Sequence, residues 1–148
     1  MNAPAKEPLR ILAANPSPLT GPGTTTFLIG QRHVAVIDPG PDDDAHLEAI
    51  LQAGQGCISH ILVTHAHLDH SAGAARLSRM AGAPVLAFGD ATAGRSPIMT
   101  RLAAGGLVGG GEGLDASFAP DMLLADGDVV ETPDWTLRAL HTPGHFGG

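Results

Sequence analysis

From Leu9 to Phe88 the chain alternates short apolar runs with stretches of helical spacing, each bounded by Gly, Pro or Asp. Leu9 to Ala14 is a short apolar run, and the loop behind it carries Pro16, Pro18, Gly21, Pro22 and Gly23. Thr24 to Gly30 and His33 to Ile37 are β-branched and apolar and almost adjacent, which predicts two strands joined as a hairpin. Asp38-Pro39-Gly40-Pro41 stops the second strand. Asp42, Asp43 and Asp44 offer a cap and a favourable charge to a helix in which Leu47, Ile50 and Leu51 share a face up to Gly54. His60 to Thr64 predicts another strand, Ser71 to Gly82 a small helix packed closely on a sheet, and Pro84 to Phe88 a further strand. The order β-β-α-β-α-β implies an α/β fold, a mixed sheet with helices on at least one face.

Beyond Gly89 the pattern weakens. Asp90 to Ala104 is expected to be helical in part, and the glycines of Gly105 to Gly113 are too many for regular structure. Leu123 to Ala125, Asp128 to Glu131 and Trp135 to Leu140 predict three short strands, separated by an Asp126-Gly127 turn and by Pro133. Residues 1–8 read as a loose leader, and residues 9–148 as one domain.

Composition narrows the function. The 148 residues suit a single domain, and 43% apolar against 16% charged residues allow a core. Eight Lys and Arg, scattered, face fifteen Asp and Glu for a net charge of −7, which disfavours a nucleic acid gripped through its phosphates. Aromatic residues reach only 3%, with no tyrosine, which argues against stacking platforms for bases. No apolar run approaches the roughly 20 residues that a spanning helix needs, so no membrane partner is expected. The N-terminus lacks the apolar segment of a signal peptide, and the single cysteine, Cys57, has no partner for an internal disulfide. A cytoplasmic location is expected.

Chemistry concentrates in His65-Ala66-His67-Leu68-Asp69-His70. If the first part is extended, His65 and His67 share a face, and a turn then brings Asp69 and His70 back toward the same volume. At the His and Asp frequencies of this chain such a pattern arises by chance about 0.002 times. The bland alternative is a solvated polar loop.

With this motif the chain resembles the metallo-β-lactamase superfamily, whose signature is His-x-His-x-Asp-His after a strand. Asn15-Pro16-Ser17-Pro18, Gly21-Pro22-Gly23-Thr24, Val36-Ile37-Asp38-Pro39-Gly40 and His141-Thr142-Pro143-Gly144-His145 extend the resemblance from Leu9 to Gly148. It implies an αβ/βα sandwich, of which this chain would be the N-terminal half and the start of the second half. His65, His67 and His145 match three imidazoles of a first zinc site with a fourth position open to water. Asp69 and His70 match part of a second site, and Asp69 would also be the catalytic residue that orients the nucleophile and takes up a proton. Two zinc ions per intact site are implied, with manganese or iron as alternatives. The implied reaction is metal-activated hydroxide attacking a small-molecule ester or thioester, as in glyoxalase II-type enzymes (hydroxyacylglutathione hydrolases) and β-lactamase-like-2 proteins. A single-strand endoribonuclease of the same fold is the alternative. From another class, the chain could be a zinc-binding module without turnover.

No residue matches the family's bridging Asp or its last His, which leaves the second site with two protein ligands. A fragment of a longer protein, a second chain completing the fold in a homodimer, and a decayed enzyme are the three readings; the fragment is preferred. Asp38 either braces the metal loop or is an ordinary turn residue. Cys57 is read as core and not as a nucleophile. Gly111 to Ala116 reads as a mobile loop and not a phosphate cradle, and the Asp90 to Gly113 region is open to a reading as a lid. His141 is set aside as a ligand because Pro143 and Gly144 break the helix its spacing to His145 would need. His33 is taken as a strand-end residue and His46 as an exposed helix residue.

Overall fold

A computed structural model describes residues 7–106 and 113–145. Strands β1 (Leu9–Leu12), β2 (Thr25–Ile29) and β3 (Val34–Ile37) form an antiparallel meander. Helix α1 (Asp44–Gly54) then returns the chain so that β4 (Ile58–Leu62) lies parallel to β3. Two short helices, α2 (Leu68–Ser71) and α3 (Ala74–Ala81), lead to β5 (Val85–Ala87), parallel to β4. After α4 (Pro97–Ala104) the chain adds β6 (Met122–Leu123) parallel to β5, giving a sheet in the order β1-β2-β3-β4-β5-β6. Strands β7 (Val129–Glu131) and β8 (Thr136–Arg138) pair as a separate antiparallel hairpin. Thus two of the three C-terminal strands predicted form this second sheet, while the first joins the main one.

Alternation along the strands sends neighbouring residues to opposite faces. Val36, Ile61, Val63 and Val85 join Leu47 and Ile50 of α1 and Leu77 of α3 in one buried cluster. Leu47, Ile50, Ile61 and Leu77 are fully buried, each contributing about 1.5–3 kcal/mol of burial. Ile37, Leu62 and Leu86 face the other way and, with Val130 and Leu137 of the hairpin, line a cavity of about 290 Å³ between the two sheets. No helix among the described residues is long and apolar enough to cross a membrane.

Two expectations need correction. The helix expected over Ser71 to Gly82 is α3, but it begins only at Ala74; Ser71 instead ends α2, and Ala72-Gly73 separate the two where the chain is drawn against the turn after β3. Gly73 N donates to Gly40 O at 3.0 Å and Gly40 N to His70 O at 3.1 Å, and a Cβ on Gly73 would lie 2.9 Å from Leu47. His46 is buried, not exposed, with 4% of its surface accessible. Gly40, at φ +82°, makes this burial possible, since a Cβ there would sit 2.7 Å from His46 Nε2. Thr26 Oγ1 donates to Asp38 O at 2.6 Å, so the imidazole Nε2–H of His46 must donate to Thr26 at 2.9 Å. Burial holds the His46 pKa below its usual value, partly offset by the charge of Asp43.

α1 is capped by Asp43, whose side chain accepts from His46 N, as the aspartate run predicts. Cys57 packs against the core cluster. Of the glycine-rich stretch, residues 107–112 lie outside the described residues.

The hairpin is fastened to the main sheet at one end. Asp134 accepts the backbone N–H groups of Gln31, Arg32 and His33 between β2 and β3, and Trp135 Nε1 donates to His33 O. Those amides, that of His33 first and then that of Arg32, hold the Asp134 carboxyl down to about 2. A carboxyl depressed in the folded state stabilises it above its usual value of 3.8 and loses that contribution as pH falls toward 2. Trp135 is the sole tryptophan and is buried, so its fluorescence reports docking of the hairpin. Asp134→Ala is expected to red-shift that emission at neutral pH with little change in far-UV circular dichroism. The unsubstituted chain should show the same shift only between about pH 4 and pH 2, and an unshifted variant would show that the hairpin docks without the carboxylate.

Candidate metal centre

The site is built at the C-terminal ends of β3 and β4. Asp38 N continues the parallel ladder by donating to Leu62 O at 2.8 Å, yet Asp38 itself adopts φ +53°. A left-handed aspartate aims its side chain across the strand ends. Its Oδ1 accepts Thr64 N at 2.8 Å, and its Oδ2 accepts Thr64 Oγ1 and His70 Nδ1, each at 2.8 Å.

These bonds fix proton positions on two imidazoles. The one hydroxyl proton of Thr64 is given to Asp38, so the 2.9 Å contact between Thr64 Oγ1 and His65 Nδ1 requires His65 to donate from Nδ1. His65 therefore presents the lone pair of Nε2 to its neighbours. His70 likewise uses Nδ1 for Asp38, which turns Nε2 toward Asp69 Oδ2 at 3.3 Å. Burial lowers the His70 pKa, but the hydrogen bond and charge of Asp38 and the charge of Asp69 together outweigh it, and the net shift is upward. His65 moves the other way, to about 4, through burial first and then the charge of His70, with Asp38 opposing.

His65, His67 and His145 converge: one donor atom from each lies within 4.8 Å of the other two. His67 Nδ1 is 3.1 Å from His65 Nε2 and 3.3 Å from His145 Nε2. The extended backbone at His67 places the first two rings on one side, their centroids 4.8 Å apart, and the loop after β8 brings in His145. His70 stacks obliquely beside His65 at 4.3 Å. Three imidazoles with nitrogens this close suit a borderline-soft dication such as zinc, and they leave a fourth position uncommitted.

The flanks of the loop are held by residues to which the sequence alone assigns no contact with it. Thr24 Oγ1 donates to Asp69 Oδ2 at 2.8 Å and is itself held by Asn15 Nδ2 at 3.1 Å. Asp115 is buried, and Ser71 Oγ lies 2.8 Å from its Oδ2 and 3.0 Å from His67 O. Asp115 N donates to Ala66 O, and Leu114 pairs with His67. The end of the stretch expected as a mobile loop, Gly113 to Ala116, thus lies on the histidine-bearing loop. Of the expected ligands, the structure groups His65, His67 and His145 and sets Asp69 and His70 beside them as a second, adjoining pair.

The architecture is a mixed α/β fold with a cluster of imidazoles at the strand ends. The metallo-beta-lactamase superfamily model matches residues 19–148, and the chain belongs to that superfamily. It is 30% identical over 144 residues to a beta-lactamase-like protein 2 homolog of Drosophila melanogaster, covering 93% of this chain and 45% of that protein. It is 34% identical over 115 residues to a hydroxyacylglutathione hydrolase of Pseudomonas paraeruginosa, covering 77% of this chain and 34% of the relative. Among solved structures it resembles the class B3 di-zinc metallo-beta-lactamase LRA-12 from an Alaskan soil metagenome, with a TM-score of 0.60, 25% identity, and coverage of 84% of this chain and 48% of that one. The chain spans less than half the length of these proteins.

Removing the Asp38 carboxylate strands three donors, two of them on Thr64 and one on His70. Asp38→Ala is expected to cost about 3 kcal/mol in urea unfolding. Asp38→Gly should cost about 1 kcal/mol less, because glycine adopts φ +53° without a Cβ penalty. Equal losses in the two variants would show that the left-handed backbone carries no strain.

Proposed function

We propose that residues 9–148 carry the metal-binding part of a zinc-dependent hydrolase that cleaves an ester or thioester in a small molecule. The observation that carries this reading is the convergence of His65, His67 and His145, with donor atoms within 4.8 Å of one another. These three residues would hold one ion, and Asp69 and His70 would contribute to a second. A bound zinc lowers the pKa of water to about 7 and so supplies a nucleophile at neutral pH.

The chain's own residues then orient and move protons. Asp69 is the catalytic residue on this reading. Thr24 holds its Oδ2, so that Oδ1 is the oxygen that orients the attacking water and accepts its proton. Asp38 keeps His65 and His70 in the tautomers that present Nε2. Water adds to the substrate carbonyl, the carbon–sulfur or carbon–oxygen bond breaks, and a carboxylic acid and a thiol or alcohol leave. The hydroxyacylglutathione hydrolase relative supports a thioester, and the net charge of −7 weighs against a polyanionic RNA strand.

Elemental analysis of the chain ending at Gly148, after dialysis without chelator, is expected to give about one zinc per chain; a value near zero would overturn the reading. Release of thiol from a hydroxyacylglutathione thioester should depend on zinc and fall about 100-fold in Asp69→Ala. Cleavage of single-stranded RNA by the zinc-loaded chain in preference to the thioester would reverse the assignment of substrate.

A further inference from the structure

His145 is the exposed member of the three-imidazole group, and it reaches the site on an exposed run, Thr142-Pro143-Gly144. An added Cβ at Gly144 would meet nothing within 4 Å, so little packs against the run there. A ligand so placed binds weakly unless the base of its loop is fixed, because ordering the loop must then come out of the binding energy.

The base is fixed by His141. Its ring stacks face to face on Phe88, with centroids 3.9 Å apart and planes 5° apart. Phe88 directly follows β5, on the main sheet, while His141 follows β8, on the second. Both rings are half-buried, and both line the mouth of the cavity between the sheets. His141 N also donates to Asp126 Oδ1 at 3.0 Å, and Gly127 N to Ala139 O at 2.9 Å, so the backbone enters the loop already tied to the preceding turn. Pro143 restricts one more dihedral between this anchor and His145.

We propose that His141 is a positioning residue: its stack on Phe88 preorganises the 142–145 loop and so sets the affinity of the His65, His67 and His145 site for its metal. This rests on the zinc site proposed above. The imidazole acts as a flat ring rather than as a ligand, and an aromatic replacement should serve as well. The stack also makes the site sensitive to the relation between the sheets, since one ring belongs to each.

The test is zinc affinity of the chain ending at Gly148, measured by competition with a chromophoric chelator, together with backbone ¹⁵N order parameters at Gly144 and His145 in the metal-free chain. Expected results are about tenfold weaker zinc binding in His141→Leu and Phe88→Leu, near-unchanged binding in His141→Phe, and lower order parameters in His141→Leu alone of the two His141 variants. His145→Ala is the reference for loss of a ligand. Failure of the unsubstituted chain to bind zinc would overturn the site itself and the proposal with it. Zinc binding that His145→Ala weakens but His141→Leu leaves intact would overturn the positioning role while the site stands. Equal loss in His141→Phe and His141→Leu would instead make the imidazole a ligand and overturn the stack. The His141 pair keeps the test decisive if Phe88→Leu fails to fold.

Discussion

A single buried carboxylate, that of Asp38, holds the strand ends in the arrangement that the site requires. Every polar group of this residue is engaged: its N–H with Leu62 O, its carbonyl with the Thr26 hydroxyl, and its two carboxylate oxygens with Thr64 and His70. Burying a charge is costly unless donors surround it, and the left-handed backbone adds about 1–2 kcal/mol of strain. What that arrangement secures is geometric. It fixes where β4 gives way to the histidine-bearing loop and which nitrogen of His65 and of His70 is offered inward.

The imidazoles themselves are a poor arrangement in the absence of a cation. Nitrogens of His65, His67 and His145 approach to 3.1 and 3.3 Å, and protonating more than one of them would bring like charges together. Burial and the neighbouring charge of His70 accordingly keep His65 neutral down to about 4. His70, between the carboxylates of Asp38 and Asp69, is held protonated to higher pH than usual. A metal binding beside Asp69 would compete with that proton, which makes affinity fall as pH falls.

Local features of the chain were legible in the sequence, and features that depend on distant partners were not. The β2–β3 hairpin, α1 with its Asp43 cap, and the common face of His65 and His67 all follow from spacings of a few residues. His46 looked exposed because its neighbours in sequence are Asp43, Asp44 and Glu48; it is buried because Gly40 has no side chain to exclude it. Gly73 delays the start of the expected helix for a similar reason, a close approach to Leu47 and the Gly40 turn. Asp134 is remote in sequence from the amides it receives, and Asp115 from the hydroxyl of Ser71, and each stood among residues that read as ordinary turns or loops. Thr24 was visible only as part of a family motif, with nothing in the spacing to connect it to Asp69.

The three-imidazole group joins the two sheets. His65 and His67 leave the main sheet after β4, whereas His145 leaves the hairpin after β8. Their meeting therefore depends on how the hairpin sits. The Asp134 and Trp135 contacts fasten it at the β2–β3 turn, and the Phe88–His141 stack fastens it at the end of β5. Between them lies the apolar cavity bounded by Leu62, Leu86, Val130 and Leu137, where packing is incomplete and gives less resistance to sliding than a filled core would. The directional contacts at the two ends consequently carry more of the alignment than the apolar faces do. A cation shared by His65, His67 and His145 would add a third, stronger tie at the same edge, coupling metal binding to the docking of the second sheet.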